Sequence, residues 1–227
     1  MTYNFREHWN KQLAKQPDYD HPSNYAIDKE KLFPRNSKVC DLGGGYGTDS
    51  LYFAEKGHKV YLFDIADLSL EKAMAKTKER GLEKHLTTKF VDLDKEKIPA
   101  DDDFFDIVYS RLSIHYFSRD RTIEVLREIY RVLKLRGTAY IVIKSPEDKD
   151  ELTWLESHGK KIEEGMYEEN GFIKTRYTKA QYKLMLEKAG IKNFEIGDYT
   201  EKFGDEKVFL KSKADSLLYI EIVIIKE

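Results

Sequence analysis

With 227 residues, the chain suffices for one large domain carrying a cover, and its core needs no disulfide or metal to hold it. Its one cysteine, Cys40, rules out an intrachain disulfide framework and fits a reducing cytosol. The 39 basic and 41 acidic residues are interleaved and leave a net charge of −2, so the chain lacks the dense basic stripe that duplex nucleic acid favours.

No apolar run approaches the length of a transmembrane helix, and MTYNFREHWNKQ lacks the apolar middle of a signal peptide. A cytoplasmic protein without a membrane partner is expected, with nucleic acid disfavoured.

Residues 1–36 are polar with scattered aromatics, and prolines break them into pieces. A helix is expected from about Asn4 to Lys15, followed by irregular chain. SKVCDLGGG is a first strand, and TDSLYFAEKGH a short helix stopped at Gly57. KVYLFDIA is a second strand, and DLSLEKAMAKTKERGL a helix ending at Gly81. TTKFVDLD and FFDIVYSR are strands three and four. In SRDRTIEVLREIYRVLKLRG, Ile123, Leu126, Ile129, Tyr130 and Leu133 recur at helical spacing, with Ser118 to cap the start and Gly137 the end. TAYIVIK is a fifth strand. This alternation implies right-handed crossovers and an α/β, doubly wound parallel sheet, and the near-continuous apolar strands expect helices on both faces.

Residues 145–177 break the rhythm and are long for a plain connection. LTWLESHGKKI suits an amphipathic helix and GFIKTRY a short strand. TKAQYKLMLEKAG is a helix with Thr178 as cap and Gly190 as stop. NFEIGDYTEKF and LLYIEIVIIKE are long strands whose short link favours antiparallel pairing.

VCDLGGGYGTDS is the stretch that carries chemistry. A strand, a glycine loop and a helix start together make a site for an anionic group, because glycine adopts positive φ and lets a ligand lie against the main chain. Two ligands fit: a dinucleotide pyrophosphate, or the carboxylate end of an amino-acid-bearing nucleoside. A G-x-G-x-x-G fingerprint begun at Gly43 needs glycine at position 48, which is threonine. The residues instead read D-x-G-x-G-x-G from Asp41, and a carboxylate there favours an ammonium group over a pyrophosphate. Asp64, at the end of strand two, suits ribose hydroxyls. Asp92, at the end of strand three, suits an adenine amine, with Ile65 and Leu93 as apolar walls.

VCDLGGGYG, YLFDIA, FVDLD, FDIVYSRLSIHYF and LREIYRVLKLRGTAYIVIK, in that order, resemble the class I S-adenosylmethionine-dependent methyltransferases. The resemblance spans residues 38–144 and the antiparallel finish at 194–226. It implies a Rossmann-like, mostly parallel seven-stranded sheet with an antiparallel C-terminal strand, and S-adenosyl-L-methionine as cofactor. Gly43 and Gly45 are then main-chain contacts, with Asp41 near the amine, Asp64 on the ribose, Asp92 and Leu93 at the adenine, and Ser110 or Arg111 near the methionine part. LKLRGT departs from the family, where relatives often carry a proline and a glycine pair.

The acceptor side is expected after strand four. There RLSIHYF offers His115 as a general base or a packed residue, and Arg111 as a holder of an acidic substrate or an ion-pair partner. No metal site is expected. YSRL is not N-P-P-Y, which disfavours amide or adenine nitrogen methylation by that route. No cysteine follows strand four, which excludes the covalent route to cytosine carbon-5. Residues 1–36 and 145–177 are expected as covers, with Tyr3, Phe5 and Trp9 over the cofactor and Trp154, Met166, Tyr167 and Tyr177 around the acceptor, or else as segments packed on the sheet edge. The expected function is methyl transfer to a small-molecule acceptor by in-line displacement, through positioning and desolvation. The alternatives are an RNA or protein methyltransferase and a non-catalytic regulatory subunit that binds S-adenosylmethionine.

Overall fold

A computed structural model describes residues 5–15, 20–202 and 216–227; the expectation for Tyr3 lies outside them. Seven strands form the main sheet: β1 (Lys38–Leu42), β2 (Lys59–Asp64), β3 (Leu86–Phe90), β4 (Phe105–Arg111), β5 (Leu133–Lys144), β9 (Phe194–Lys202) and β10 (Ser216–Ile225). Their order is β3-β2-β1-β4-β5-β10-β9. The first five pair in parallel, and β10 runs antiparallel to both β5 and β9. The doubly wound, mostly parallel, seven-stranded sheet is the expected one.

Successive strand residues point to opposite faces, and each face buries its own apolar set. On one face, Cys40, Leu42, Val108, Ile141 and Ile143 pack under α5 (Arg119–Val132) and α7 (Lys179–Lys188). On the other, Val39, Leu62, Ile107 and Val142 pack with residues of α2 (Asn24–Glu30), α3 (Thr48–Glu55) and α4 (Asp67–Glu79). Ser118 caps α5 through Arg121 N, and Thr178 with Gln181 closes a capping box on α7.

Two boundaries differ from expectation. α5 stops at Val132 and passes directly into β5, so Gly137 is no helix cap. Gly137 lies inside β5, where a Cβ would meet Lys134 O at 2.8 Å and Phe105 O at 3.1 Å. The register with β4 shifts at this point, and Arg136 has φ +65°. The glycine serves a bulge that lets two backbones close on each other. β3 ends at Phe90, so Asp92 stands just past the strand.

The 145–177 segment folds into α6 (Lys149–His158) and a small antiparallel sheet of β6 (Lys160–Glu163), β7 (Met166–Glu169) and β8 (Phe172–Thr175). The link from β7 to β8 is Asn170-Gly171, both at positive φ (53° and 84°), which is the pairing that suits a tight hairpin turn. β8 packs on the 3₁₀ turn Ile114–Tyr116 that follows β4. The N-terminal helix α1 (Phe5–Leu13) has no buried residue.

Candidate active site

The carboxyl ends of β1, β2 and β4 and the segment after β3 surround a cleft of about 700 Å³, mouth included. Gly43, Gly45, Asp64, Ile65, Asp92 and Leu93 line it, as do Leu112, Ser113, Tyr116 and Phe117 from the chain after β4. Phe5, Trp9 and Leu13 of α1 cover it.

The loop after β1 is held by its own backbone. Gly43 N donates to Phe63 O at 2.7 Å, and Gly43 has φ +69°. A Cβ on Gly43 would lie 2.4 Å from Ser113 Cβ. Gly45 also has positive φ, but nothing lies within 4 Å of where its Cβ would be. Its peptide is therefore bare toward the cleft. The Gly45 N–H donates to Asp64 Oδ2 at 2.9 Å, and Ala66 N donates to Asp64 Oδ1 at 2.8 Å. Burial pushes the Asp64 carboxyl above the usual range, and the backbone N–H groups of Ala66, Gly45 and Ile65 oppose that rise. Each Asp64 oxygen retains a lone-pair direction for a further donor.

Asp92 accepts from Asp94 N at 3.1 Å and pairs with Lys95 at 2.7 Å. Asp41 does not line the cleft; it lies beneath the loop, against Gly44. Ser50 Oγ donates to its Oδ2 at 2.6 Å, while its Oδ1 is buried without a partner. Burial pushes the Asp41 carboxyl up to about 8, opposed by the Ser50 hydrogen bond and reinforced by the charges of Asp49 and Asp64.

Ser110, Arg111 and His115 also stand behind the cleft wall. Ser110 Oγ lies 2.6 Å from Ser113 Oγ, which donates to Leu42 O at 3.0 Å. Arg111 reaches away to Glu201 on β9 at 2.6 Å, which is the ion-pair alternative for this residue. His115 is buried, and burial first, then Arg176, Lys144 and Lys174, hold its imidazole well below the usual range. Trp154, Met166, Tyr167 and Tyr177 do not line the cleft. Trp154 stacks on His158, and Met166 and Tyr177 join the core under α5 and α7.

Leu112, Ser113, Val91 and Asp94 line the cleft without having been singled out. Leu112 carries φ +56° on a β-type run, a strained conformation with no glycine to announce it.

The profile of a family described as a methyltransferase domain matches residues 39–137, the stretch that builds the glycine loop and its acids. That stretch is thus similar to a methyltransferase domain. The chain is 39% identical over 104 residues to a sarcosine/dimethylglycine N-methyltransferase of Halorhodospira halochloris, covering 45% of this chain and 36% of that one. It is 30% identical over 111 residues to the ubiquinone/menaquinone biosynthesis C-methyltransferase UbiE of Azotobacter vinelandii, covering 48% and 42%. The chain thus spans less than half the length of these curated relatives. Among solved structures, a SAM-dependent methyltransferase of Methanosarcina mazei superposes with a TM-score of 0.71 at 21% identity, over 90% of this chain and 98% of the other, a likeness of fold. Among the described residues no helix is long and apolar enough to cross a membrane, and no metal-binding cluster occurs.

The residues of the cleft are compatible with an adenosyl donor. The open side of Gly45 admits a ligand against the main chain, and Asp41 Oδ1, buried beneath the loop, has no hydrogen-bond partner among the described residues.

Proposed function

We propose that this chain transfers a methyl group from S-adenosylmethionine to a small-molecule acceptor. The observation that carries the reading is the Gly45 peptide, fixed by Asp64 on one side and bare toward the cleft on the other. When bound, S-adenosylmethionine supplies a sulfonium-activated methyl carbon open to in-line attack. Asp64 accepts from the ribose hydroxyls, Asp92 from the adenine amine, and Ile65 and Leu93 wall the ring. Asp41 acts on the amine from beneath the loop. Gly43 holds the loop against Ser113, and Ser110 supports Ser113 from behind.

α1 acts as the cover. Asn10 Oδ1 accepts from Leu68 N at 3.1 Å, Arg6 pairs with Asp67 at 2.5 Å, and Tyr46 donates to Leu13 O. Trp9 and Tyr116 meet edge to face at 4.8 Å across the cleft. Closure of such a site orients reactants and excludes water, contributions worth up to ~7–11 kcal/mol in favourable cases. His115, neutral at pH 7, serves the reaction only where the acceptor must lose a proton, and it acts from behind Tyr116.

The acceptor is a metabolite-sized molecule, in keeping with the near-neutral charge and a cleft roofed by one short helix. Calorimetry with S-adenosylmethionine and its demethylated product tests the donor half, and labelled donor with a metabolite extract tests transfer. A folded protein that ignores both nucleosides refutes the proposal. Binding without any transfer points instead to a regulatory subunit, and label on RNA or protein to a macromolecular acceptor.

A further inference from the structure

We propose that the methyl acceptor is an uncharged aromatic ring compound, seated on Tyr116 and Phe117 and roofed by Trp9. The inference rests on the methyl-transfer reading and adds the acceptor's chemical class to it.

The order of the strands sets where an acceptor has to come. In that reading the donor lies with its methionine part on the loop after β1, its ribose at the end of β2 and its adenine past β3. These strands stand side by side in the order β3-β2-β1-β4. The sulfonium end is thus the end next to β4, and the acceptor meets the chain that follows β4. That chain gives the cleft Leu112, Ser113, Tyr116 and Phe117. Ser113 is already engaged: its Oγ donates to Leu42 O at 3.0 Å and lies 2.6 Å from Ser110 Oγ. The roof adds Phe5, Trp9 and Leu13. Apart from the leucines, the side chains left to meet an acceptor are rings.

Charge points the same way. Among the described residues, the charged ones that line the cleft are Asp64, Asp92 and Asp94, all acids. Lys95 pairs with Asp92 but is not part of the lining. The donor does not reverse this balance, because its own carboxylate matches its sulfonium and Asp41 matches its ammonium. An acidic substituent on the acceptor would enter a water-poor site with no side-chain cation to receive it, which is costly. A cationic acceptor would face the sulfonium at the reacting atom, and like charges repel. Burial above all pushes the Tyr116 phenol up to about 12, so it stays neutral and offers the acceptor an O–H in place of a charge.

The ring contacts show how such an acceptor is held. Trp9 and Tyr116 meet edge to face at 4.8 Å. Ring pairs of this kind are favourable beyond the area they bury. α1 buries none of its residues, so Trp9 can lift and admit a ring that touches both partners. A saturated molecule of equal size fills the same space and gives up those contacts.

The test uses the full chain saturated with S-adenosylhomocysteine, which fills the donor site and cannot react. The chain has two tryptophans, and Trp154 does not line the cleft. Trp154→Phe therefore leaves Trp9 as the sole indole N–H signal in the magnetic resonance spectrum of a nitrogen-labelled sample. Para-cresol and naphthol are titrated beside naphthoate and the saturated alcohol decahydronaphthol. At least one of the two phenols should move the Trp9 signal to saturation. The saturated alcohol should bind about threefold to tenfold more weakly than naphthol, the scale of an aromatic pair, and naphthoate more weakly still. Trp9→Leu, followed by calorimetry, should weaken naphthol about threefold or more, and Trp9→Phe should weaken it less, since a ring survives. Naphthoate or the saturated alcohol binding as well as naphthol, neither phenol moving the Trp9 signal, or Trp9→Leu binding naphthol like the parent would each overturn the proposal while the donor reading stands. A protein that does not bind S-adenosylhomocysteine removes both.

Discussion

The donor half of the cleft and its roof are built by different means. The donor half is main chain: a glycine loop tied to β2 by the Gly43–Phe63 hydrogen bond, and an aspartate that grips two peptide N–H groups. The roof is side chain: rings from α1 meet rings from the turn after β4 and from β8, and α1 buries none of its residues. Backbone hydrogen bonds of a parallel sheet leave little room to move, whereas an exposed helix held by a few rim contacts opens readily. We propose that the first region is preformed for a ligand and that the second closes over it.

The largest effect that would break this comparison lies at Gly43. Gly43→Ala puts a Cβ onto Ser113 and forces a left-handed residue, so urea unfolding should register a loss of about 2–4 kcal/mol. Gly45→Ala, with open space around it, should lose clearly less stability while weakening donor binding; equal losses would mean that the loop is not packed as described. Asp64→Ala should cost about 1.5–3 kcal/mol of donor affinity by calorimetry, and unchanged affinity would remove Asp64 from the site.

Asp41 supplies a titration. Its carboxyl is raised to about 8 in the free protein, so it is protonated at pH 7. An ammonium group favours the ionised form, so donor binding should release a proton. Affinity should rise with pH up to about 8, by at most about 1.4 kcal/mol per unit. A raised folded pKa also means that this group's contribution to stability is full below the ordinary carboxylate range and is lost as pH climbs through about 8. Asp41→Asn should flatten both profiles; calorimetry in buffers of different ionisation enthalpy detects the proton. The smallest effect belongs to the roof. Arg6→Ala should leave the unfolding midpoint unchanged and speed donor dissociation in stopped flow; an unaltered rate would deny α1 its role as cover.

The same contrast explains what the sequence disclosed. Alternating apolar strands and helices with glycine stops carry their meaning locally, so the doubly wound sheet with its antiparallel finish and the place of Asp64 at the end of β2 were readable. Asp41 was readable as an acid at the loop but not as one beneath it, since burial is set by Leu62 and Gly44 closing around it. Of the three-stranded sheet only β8 was legible, as GFIKTRY; its partners escaped because KKIE and MYEE have no apolar alternation. Gly137 looked like a helix stop because its role depends on β4, distant in sequence. Leu112 gave no signal, and a pattern of rings could not say that Trp154 and Tyr177 face away from the cleft while Phe172 meets α1.

Phe172 has a kinetic corollary. Its ring lies against Phe5 and His8 of α1 while its strand rests on the turn that carries Tyr116, so the two covers bear on each other. Traffic through one door then disturbs the other, and spent nucleoside should leave only after the methylated product has gone. Product-inhibition patterns of an ordered sequential scheme would follow, and a random scheme would show that the doors swing independently.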